Sequence, residues 1–307
     1  MIPGNMHPEM KVLLDARGDW PARMSVADIR AAWASYTRAL WRPAPENLHA
    51  EDIMAPAPDG AVPVRRYHFP DQPSSAAVIY MHGGGFMKGS LDDSDAIAWG
   101  FAHATGAQVF SVDYRLAPEH PYPGAFNDCY AVLSWLAGGA MGVDPARIIV
   151  LGDSAGGNLA AALCLAARDR NGPSIAAQVH IYPGHGGDHS KGSYVEHAQA
   201  PLLTAAGVRQ TMDSYTSGAR YANDPYAQPL RASDYSNLPP AWIHSAEIDP
   251  IRDDGREFAA RMALAGGNVC FREAKGMLHG FLRARFGSPA AAREFEAICQ
   301  FVRSILA

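Results

Sequence analysis

Short apolar stretches alternate with helical patterns from about residue 50 onward, and this alternation limits the possible folds more than any other feature of the sequence. Residues 62–69 alternate in the manner of a half-buried strand, and the apolar stretches predict further strands at residues 76–82, 107–113, 147–152, 178–182, 241–246 and 269–273. Helical patterns separate them near residues 92–105, 124–138, 155–170, 251–266 and 289–306. Buried strands that alternate with helices predict an α/β protein, with a mostly parallel sheet covered by helices on both faces.

The N-terminal segment, residues 1–45, is helical and amphipathic rather than β-rich. Ser25 and Asp28 have the spacing of a capping box and can begin a helix. An apolar stripe at helical spacing follows them, and it consists of Val26, Ile29, Trp33, Tyr36 and Leu40. We expect this segment to form the N-terminal part of a helical cap over the sheet.

Residues 184–236 also break the alternation, because they separate two predicted strands by more than a simple crossover needs. They include a helical pattern with Val208, Met212 and Tyr215 on one face. We expect this insertion to pack with the N-terminal helices and complete the cap. The predicted organisation is therefore a cap of residues 1–45 and 184–236 and a core of residues 46–183 and 237–307.

Composition and charge limit the partners of the chain. Of its 307 residues, 48% are hydrophobic and 19% charged, as in a globular enzyme. The net charge of −5 includes no block of like charges, which argues against nucleic acid and anionic membrane surfaces as partners. No apolar stretch approaches the ~20 residues that span a bilayer. Residues 1–10 lack the pattern of a secretory signal, so we expect a cytoplasmic protein.

The metal-binding residue types show no ligand pattern. Four cysteines are scattered without metal or redox spacing, and we expect reduced, packed thiols at Cys129, Cys164, Cys270 and Cys299. The histidines of the insertion and the strand before it lack the spacing of a helical pair; they are His180, His185, His189 and His197. We therefore expect neither a metal nor a cofactor.

The pentapeptide Gly152–Gly156 matches the pattern G-x-S-x-G, with Ser154 at its centre. The pattern alone is weak, and an ordinary glycine-rich turn or a phosphate site is the alternative. Here it follows a predicted strand directly and precedes an Ala/Leu-rich helix. A strand–turn–helix placement is what a nucleophile elbow requires. Ser154 is therefore our candidate nucleophile.

A second glycine-rich motif, His82–Phe86, stands at the end of another predicted strand. Consecutive glycines let the backbone approach a ligand and turn its N–H groups inward, as an oxyanion requires. A P-loop is excluded because Lys88 precedes Gly89 and the required glycine-to-lysine spacing is absent. We expect His82 to orient this loop rather than to carry protons.

Asp249 and His279 are the candidate partners of Ser154. Asp249 follows a predicted strand and immediately precedes Pro250, whereas Asp253 fits better into the first turn of the next helix and Glu247 is a weaker competitor. His279 follows the last predicted strand. The chain order Ser, Asp, His is that of α/β-hydrolases. In this arrangement the histidine takes and returns the serine proton while the aspartate orients the histidine.

Together these motifs resemble those of the hormone-sensitive-lipase-like group of bacterial carboxylesterases, which have the α/β-hydrolase fold. The resemblance runs from about residue 50 to the C-terminus, and its motifs lie at residues 82–86, 113–120, 152–158, 249–253 and 279–281. It implies an eight-stranded sheet with a two-part helical cap. It also implies hydrolysis of esters of short to medium acids, with no cofactor, and a homodimer formed through an edge strand as a common assembly.

The resemblance also implies roles for individual residues. The triad would be Ser154, Asp249 and His279, and Arg115 and Glu119 would buttress the loops around it. The oxyanion donors would be the backbone N–H groups of Ala155 and of two glycines among Gly83, Gly84 and Gly85, of which the last two are favoured.

The substrate pocket is the least determined part of the sequence. Phe86 lies next to the second glycine motif and Tyr182 at the end of a strand, so both are candidate pocket residues. Leu203, Val208 and Met212 in the predicted cap are weaker candidates, and simple core packing is the alternative for each. Bulkier residues at Met212 should shift the acyl preference toward shorter chains.

Two other functions remain open at this stage. An amidase or deacetylase would use the same triad, because amide and ester hydrolysis share their catalytic groups. A non-catalytic small-molecule receptor could retain the same fold. The complete triad disfavours the receptor, and the leading hypothesis is a metal-independent serine carboxylesterase with a small-molecule ester as its substrate.

Overall fold

The computed structural model describes residues 3–21 and 24–307. Within them, eight strands form one sheet: β1 (His49–Ala57), β2 (Gly60–His68), β3 (Ala77–Met81), β4 (Gln108–Val112), β5 (Ile148–Asp153), β6 (Ala177–Ile181), β7 (Ala241–Ile248) and β8 (Val269–Leu278). Their order across the sheet is β1-β2-β4-β3-β5-β6-β7-β8. β2 pairs antiparallel with β1 and β4, and the other pairs are parallel. The predicted eight-stranded, mostly parallel sheet is confirmed.

The α-helices of the same ranges are α1 (Lys11–Arg17), α2 (Val26–Leu40), α3 (Leu91–Thr105), α4 (Gly124–Ala137), α5 (Ala155–Asp169), α6 (Ser193–Glu196), α7 (Ala205–Thr216), α8 (Arg252–Leu264) and α9 (Pro289–Leu306). The five helices predicted within the core, α3, α4, α5, α8 and α9, lie where the sequence pattern places them. Across residues 3–21 and 24–307, no helix has both the length and the apolar character to cross a membrane.

The helices cover both faces of the sheet, and strand β5 shows how the sequence produces this arrangement. Successive side chains of a strand point to opposite faces. Ile148 and Val150 of β5 pack into a core that α4, α5 and α8 complete. Ile149 and Leu151 pack into a second core with α3 and α9. A strand buried on both faces must be apolar at every position, which explains the continuous apolar stretches of the sequence.

Strand β1 is the one strand that the sequence pattern did not predict. It pairs only with β2, through a tight connection in which Ala57 faces Gly60, so it forms one edge of the sheet. Most of its side chains are exposed, and Pro56 lies within it. An exposed edge strand needs no apolar alternation and tolerates proline. The signals on which our prediction relied are therefore absent from this strand.

The predicted N-terminal helix pattern corresponds to α2. Its capping box is present: the Ser25 Oγ accepts the N–H of Asp28 at 3.1 Å, and the Asp28 carboxylate accepts the N–H of Ser25 at 3.3 Å. Tyr36 of the predicted stripe is buried and packs with Trp33 and Trp20, at ring-centroid distances of 5.5 and 6.4 Å. The apolar face of α2 therefore points toward the protein interior, as its spacing predicts.

The helical pattern predicted within residues 184–236 corresponds to α7. Thr204 begins this helix by accepting the N–H of Gly207 at 3.1 Å. The side chains of Val208, Met212 and Tyr215 are all buried, so the predicted apolar face is confirmed. Because of this, α7 presents one wall of apolar side chains to the protein and a polar surface to the solvent.

Candidate active site

Ser154 lies at the sharp turn between β5 and α5, with backbone angles φ 57° and ψ −115°. A non-glycine residue at positive φ is strained and persists only where its surroundings hold it. The flanking glycines explain why this turn is so tight. A Cβ on Gly156 would overlap the Met81 carbonyl, and a Cβ on Gly152 would overlap the backbone of Gly156. The turn therefore projects the Ser154 side chain at the carboxyl edge of the sheet, as a nucleophile elbow does.

The side chains of Ser154, His279 and Asp249 form a continuous hydrogen-bonded chain. The His279 Nε2 lies 2.9 Å from the Ser154 Oγ, and the His279 Nδ1 lies 2.6 Å from the Asp249 Oδ2. Asp249 is fully buried, and its other carboxylate oxygen accepts the N–H of Ile251 at 3.0 Å. One carboxylate thus orients the imidazole ring while the opposite nitrogen faces the serine hydroxyl.

The competing carboxylates have other partners. Glu247 accepts the backbone N–H of Gly276 at 2.6 Å, and Asp253 pairs with Arg252 at 2.9 Å. Asp253 and Asp254 lie in the first turn of α8, as predicted. Among these acidic side chains, only Asp249 reaches His279.

The second glycine motif lies beside Ser154, and Asp153 fixes its first glycine. The Asp153 Oδ1 accepts the N–H of Gly83 at 2.8 Å and the hydroxyl of Tyr80 at 2.7 Å. The Gly83 N–H is therefore already donated to a carboxylate and is not open to a further acceptor. The resemblance already favours Gly84 and Gly85, and this contact across 70 residues gives a physical reason for that preference.

Gly84 and Gly85 keep the geometry that a donor pair requires. Both have positive φ, 143° and 62°, and neither N–H donates a hydrogen bond to an acceptor in the described part of the chain. The Ala155 N–H, at the first position of α5, has no acceptor within its helix. The partial positive charge of the α5 N-terminus adds to the field at this point. Three backbone N–H groups beside Ser154 are thus open to an incoming oxygen.

The side chain of His82 packs against the backbone of the glycine motif. Its ring is buried and stacks on Tyr114 at a centroid distance of 4.3 Å, and its Nδ1 lies 2.9 Å from the Gly83 carbonyl oxygen. Burial lowers the pKa of His82 below its usual value. A buried, stacked histidine that contacts the loop backbone fits the predicted orienting role.

A pocket opens onto Ser154 and His279, and all five predicted pocket residues line it: Phe86, Tyr182, Leu203, Val208 and Met212. Phe86 stacks on Tyr215 with ring centroids 3.6 Å apart. The Tyr182 ring packs edge-on against His279 at 4.9 Å, and its hydroxyl donates to Asp153 at 3.3 Å. Tyr182 therefore also holds the imidazole in place.

Several pocket residues were not singled out by the sequence. The N-terminal segment contributes Arg17, Trp20, Trp33 and Tyr36. Residues outside the N-terminal segment and outside the motifs also line the pocket, among them Lys88, Thr211 and Arg283. The apolar stripe of α2 already contained Trp33 and Tyr36, but its periodicity shows only that they face inward. Which cavity they line depends on how α2 docks.

Arg30 of α2 joins the N-terminal segment to the loops around the site. Its guanidinium donates two hydrogen bonds to Glu119, at 2.8 and 2.7 Å, and one to the Met87 carbonyl at 2.8 Å. These bonds lower the pKa of Glu119 to about 2. The expected buttressing role of Glu119 thus involves α2, whereas Arg115 pairs with Asp128 of α4 at 2.7 Å.

Similarity to known proteins agrees with this geometry. A family described as having the α/β hydrolase fold matches residues 78–283. The esterase LipI of Mycobacterium tuberculosis is 39% identical over 91% of this chain and 90% of its own. The carboxylesterase NlhH of the same organism is 39% identical over 94% of this chain and 92% of its own.

A solved structure extends the similarity to three dimensions. The esterase of Pyrobaculum calidifontis superposes with a TM-score of 0.90, is 34% identical, and covers 98% of this chain and 99% of its own. The family match covers the glycine motif, the elbow, Asp249 and His279 together. The chain belongs to the α/β-hydrolase fold family and, within it, to the hormone-sensitive-lipase-like group of carboxylic ester hydrolases.

Proposed function

We propose that this protein is a serine carboxylesterase that hydrolyses short- to medium-chain esters through an acyl-enzyme on Ser154. The observation that carries the proposal is the hydrogen-bonded chain from Ser154 through His279 to the buried Asp249, at 2.9 and 2.6 Å. The names of LipI and NlhH, an esterase and a carboxylesterase, support an ester over an amide as the substrate.

In the acylation step, the Ser154 Oγ attacks the ester carbonyl carbon as the His279 Nε2 takes the hydroxyl proton. A serine hydroxyl needs this base because it is a poor nucleophile at neutral pH. Asp249 holds the imidazole with its Nδ1 protonated and stabilises the imidazolium that forms. The tetrahedral intermediate then collapses, the C–O bond to the alcohol breaks, and His279 returns the proton to the leaving alkoxide.

Negative charge develops on the carbonyl oxygen during this attack. The proposed donors to it are the N–H groups of Gly84, Gly85 and Ala155, which have no other acceptors in the described residues. Loss of one such donor typically lowers the rate by about 10²–10³-fold. Water then attacks the acyl-enzyme with His279 as the base, and the acid is released from Ser154.

The pocket supports an acyl group of modest length. Leu203, Val208 and Met212 offer apolar side chains on the side formed by residues 202–212, and Phe86 lies next to the proposed oxyanion donors. Apolar walls favour acyl chains because burying each CH₂ contributes about 0.8 kcal/mol. The size of the cavity then limits how long the chain can be.

We further propose that residues 1–45 and 184–236 act together as the cap. Both segments line the same pocket, through Trp33 and Tyr36 on one side and Leu203 and Met212 on the other. The bidentate contact between Arg30 and Glu119 fixes α2 over the loops of the core. Substrate choice would then depend on these two segments, while the chemistry resides in residues 46–183 and 237–307.

Dimerisation through an edge strand remains a prediction. The edge strand β8 exposes Phe271, whose relative exposure is 38%. Sedimentation of the wild type and of Phe271→Glu tests the prediction, because a charge at a shared strand edge should dissociate a dimer.

Hydrolysis of a series of p-nitrophenyl esters from acetate to decanoate tests the proposed function. We expect wild-type turnover to peak at a short or medium chain and to vanish in Ser154→Ala. Ser304→Ala, which changes an exposed serine of α9, is the matched control and should retain the wild-type rate. Equal turnover by wild type and Ser154→Ala would refute the proposal.

A further inference from the structure

Three cationic side chains line the pocket in which Ser154 and His279 lie: Arg17, Lys88 and Arg283. None of them forms a salt bridge within residues 3–21 and 24–307. The four remaining residues of the chain, Met1, Ile2, Ala22 and Arg23, have no carboxylate side chain that could serve. The proposed reaction of neutral esters uses none of these charges.

Among the described residues that line the pocket, Asp153 alone carries a carboxylate. It already accepts hydrogen bonds from Tyr80, from the Gly83 N–H and, at 3.3 Å, from Tyr182. The Asp153 carboxylate attracts the Arg283 guanidinium electrostatically. No Asp153 atom, however, lies within salt-bridge distance of a guanidinium of the described residues. The pocket therefore contains three positively charged side chains and one carboxylate, and that carboxylate is already hydrogen-bonded to other groups.

The cations rest on aromatic rings instead. The Lys88 Nζ and the Arg283 Cζ both lie 5.0 Å from the centre of the Trp33 ring, and the Arg17 Cζ lies 4.7 Å from that of Trp20. Such cation–π contacts are attractive because the face of an aromatic ring carries partial negative charge. They orient a cation without neutralising it, so the positive potential of the pocket remains.

Lys88 is the cation best placed for a ligand. Its ammonium group makes one hydrogen bond, to the Gly84 carbonyl at 3.3 Å, and a lysine has three N–H donors. Burial and the charges of Arg17 and Arg283 lower the pKa of Lys88 to about 8. A nearby anion favours the charged form of a group held against such repulsion.

The cluster also lies close to the reacting groups. Gly84, which Lys88 contacts, is one of the proposed oxyanion donors, and Arg283 follows His279 by four residues on the same loop and short helix. Arg283 is held there by a hydrogen bond to the Asp93 carbonyl at 2.7 Å. An anionic group bound by these side chains would therefore share the pocket with the scissile ester, as two groups of one substrate molecule would.

We propose that the pocket takes esters that carry a carboxylate, and that Lys88, assisted by Arg17 and Arg283, binds this carboxylate. The inference rests on the proposed function and narrows its substrate class. A carboxylate supplies the single negative charge that one lysine can pair with, and its two oxygens can accept the free N–H donors. The group can stand on the acyl or on the alcohol portion of the ester, and the experiment distinguishes the two.

Two pairs of esters, each an anion and its neutral amide isostere, test the inference at pH 7 and low salt. For the acyl portion, the pair is monoethyl glutarate and ethyl 5-amino-5-oxopentanoate. For the alcohol portion, it is 4-acetoxybutanoate and 4-acetoxybutanamide. We expect the KM of the anion to be about tenfold below that of its amide in at least one pair, the value of one charged hydrogen bond.

The variant Lys88→Met should bring this KM ratio close to one. Lys11→Met is the matched control: Lys11 is exposed, pairs with Asp15, and should retain the wild-type ratio. Arg17→Met provides a second variant if Lys88→Met does not fold, and it should reduce the ratio in the same direction. The KM ratio compares two esters on the same variant, so any effect of the substitution that is common to both esters cancels.

The outcomes separate this inference from the proposed function. If the amides are hydrolysed at least as well as both anions, or if Lys88→Met keeps the wild-type ratio, the cations serve only cap packing and the inference is overturned. The proposed function survives that result as long as hydrolysis of the neutral esters depends on Ser154. If no ester is hydrolysed by the wild type, both proposals are wrong.

Discussion

Ile248 at the end of β7 pairs with Leu278 at the end of β8. The next residue after each is Asp249 and His279, so the register of these two strands brings the carboxylate and the imidazole side by side. A register shift sets this pairing, because β8 has two more residues than β7 between the Ala246–Ala274 and Ile248–Leu278 pairs. The candidate triad is thus a consequence of strand pairing, and Ser154 meets it from the end of β5, two strands away.

The variant Asp249→Asn should keep the fold and lose activity. The Asn oxygen can still accept the Ile251 N–H, but its amide nitrogen would then face the His279 Nδ1 and favour the wrong tautomer. We expect kcat to fall by about 10⁴-fold with little change in Tm. Glu247→Gln makes the same chemical change beside the site and should stay near the wild-type rate. Activity of Asp249→Asn within a few-fold of wild type would contradict the proposed role.

A methyl group at Gly156 should destabilise the protein. The new Cβ would overlap the Met81 carbonyl in the fully buried core, where no flexible side chain can move away. Such overpacking typically costs about 1–3 kcal/mol, and thermal unfolding measures it. Gly4→Ala, at a position with open space around it, is the control and should keep the wild-type Tm. A Gly156→Ala protein as stable as wild type would show that the elbow is not packed as described.

A bulkier residue at Met212 should shorten the preferred acyl chain. Met212 lines the pocket from α7, so Met212→Trp fills space that a longer chain would occupy. We expect kcat/KM for octanoate to fall by about tenfold or more relative to acetate. Met54→Trp changes an exposed methionine of β1 and should leave the chain-length profile as it is. The same profile in Met212→Trp and wild type would place the acyl group elsewhere.

The preference for an anionic ester should depend on pH through Lys88. A lysine is charged below its pKa, so the preference is present at pH 7 and declines as the pH rises through about 8. Arg17 and Arg283 stay charged in this range, and burial raises the pKa of Tyr36 to about 12, so that side chain stays neutral.

The anion-to-amide KM ratio, measured from pH 6.5 to 9.5, checks this dependence. A preference for the anionic ester that persists above pH 9 would come from Arg17 and Arg283, which stay charged there. A ratio that stays constant across the range in wild type would contradict a role for the Lys88 charge.

The core of the fold could be predicted because its signals are local. Buried parallel strands are apolar at every position, and Ser154 stands at the junction of a strand and a helix. The exposed strand β1 lacks any such pattern and escaped prediction for that reason.

The chemistry of the site was harder to predict from the sequence where it depends on contacts between distant residues. The hydrogen bond from Gly83 to Asp153 spans 70 residues, and it occupies the N–H of the one glycine that the resemblance did not favour as a donor. The meeting of Arg17, Lys88 and Arg283 around Trp33 and Trp20 depends on the docking of α1 and α2, which periodicity does not determine. Sequence motifs therefore indicated the candidate reacting groups, whereas the charge of the pocket emerged only from the assembled structure.

Covalent labelling tests the central claim, that Ser154 is the nucleophile, most directly. The protein is incubated with a p-nitrophenyl alkylphosphonate, and its intact mass is measured before and after proteolysis. We predict one phosphonyl adduct on the wild type, on the peptide that contains Ser154, and none on Ser154→Ala. An adduct on another residue, or equal labelling of Ser154→Ala, would contradict the account.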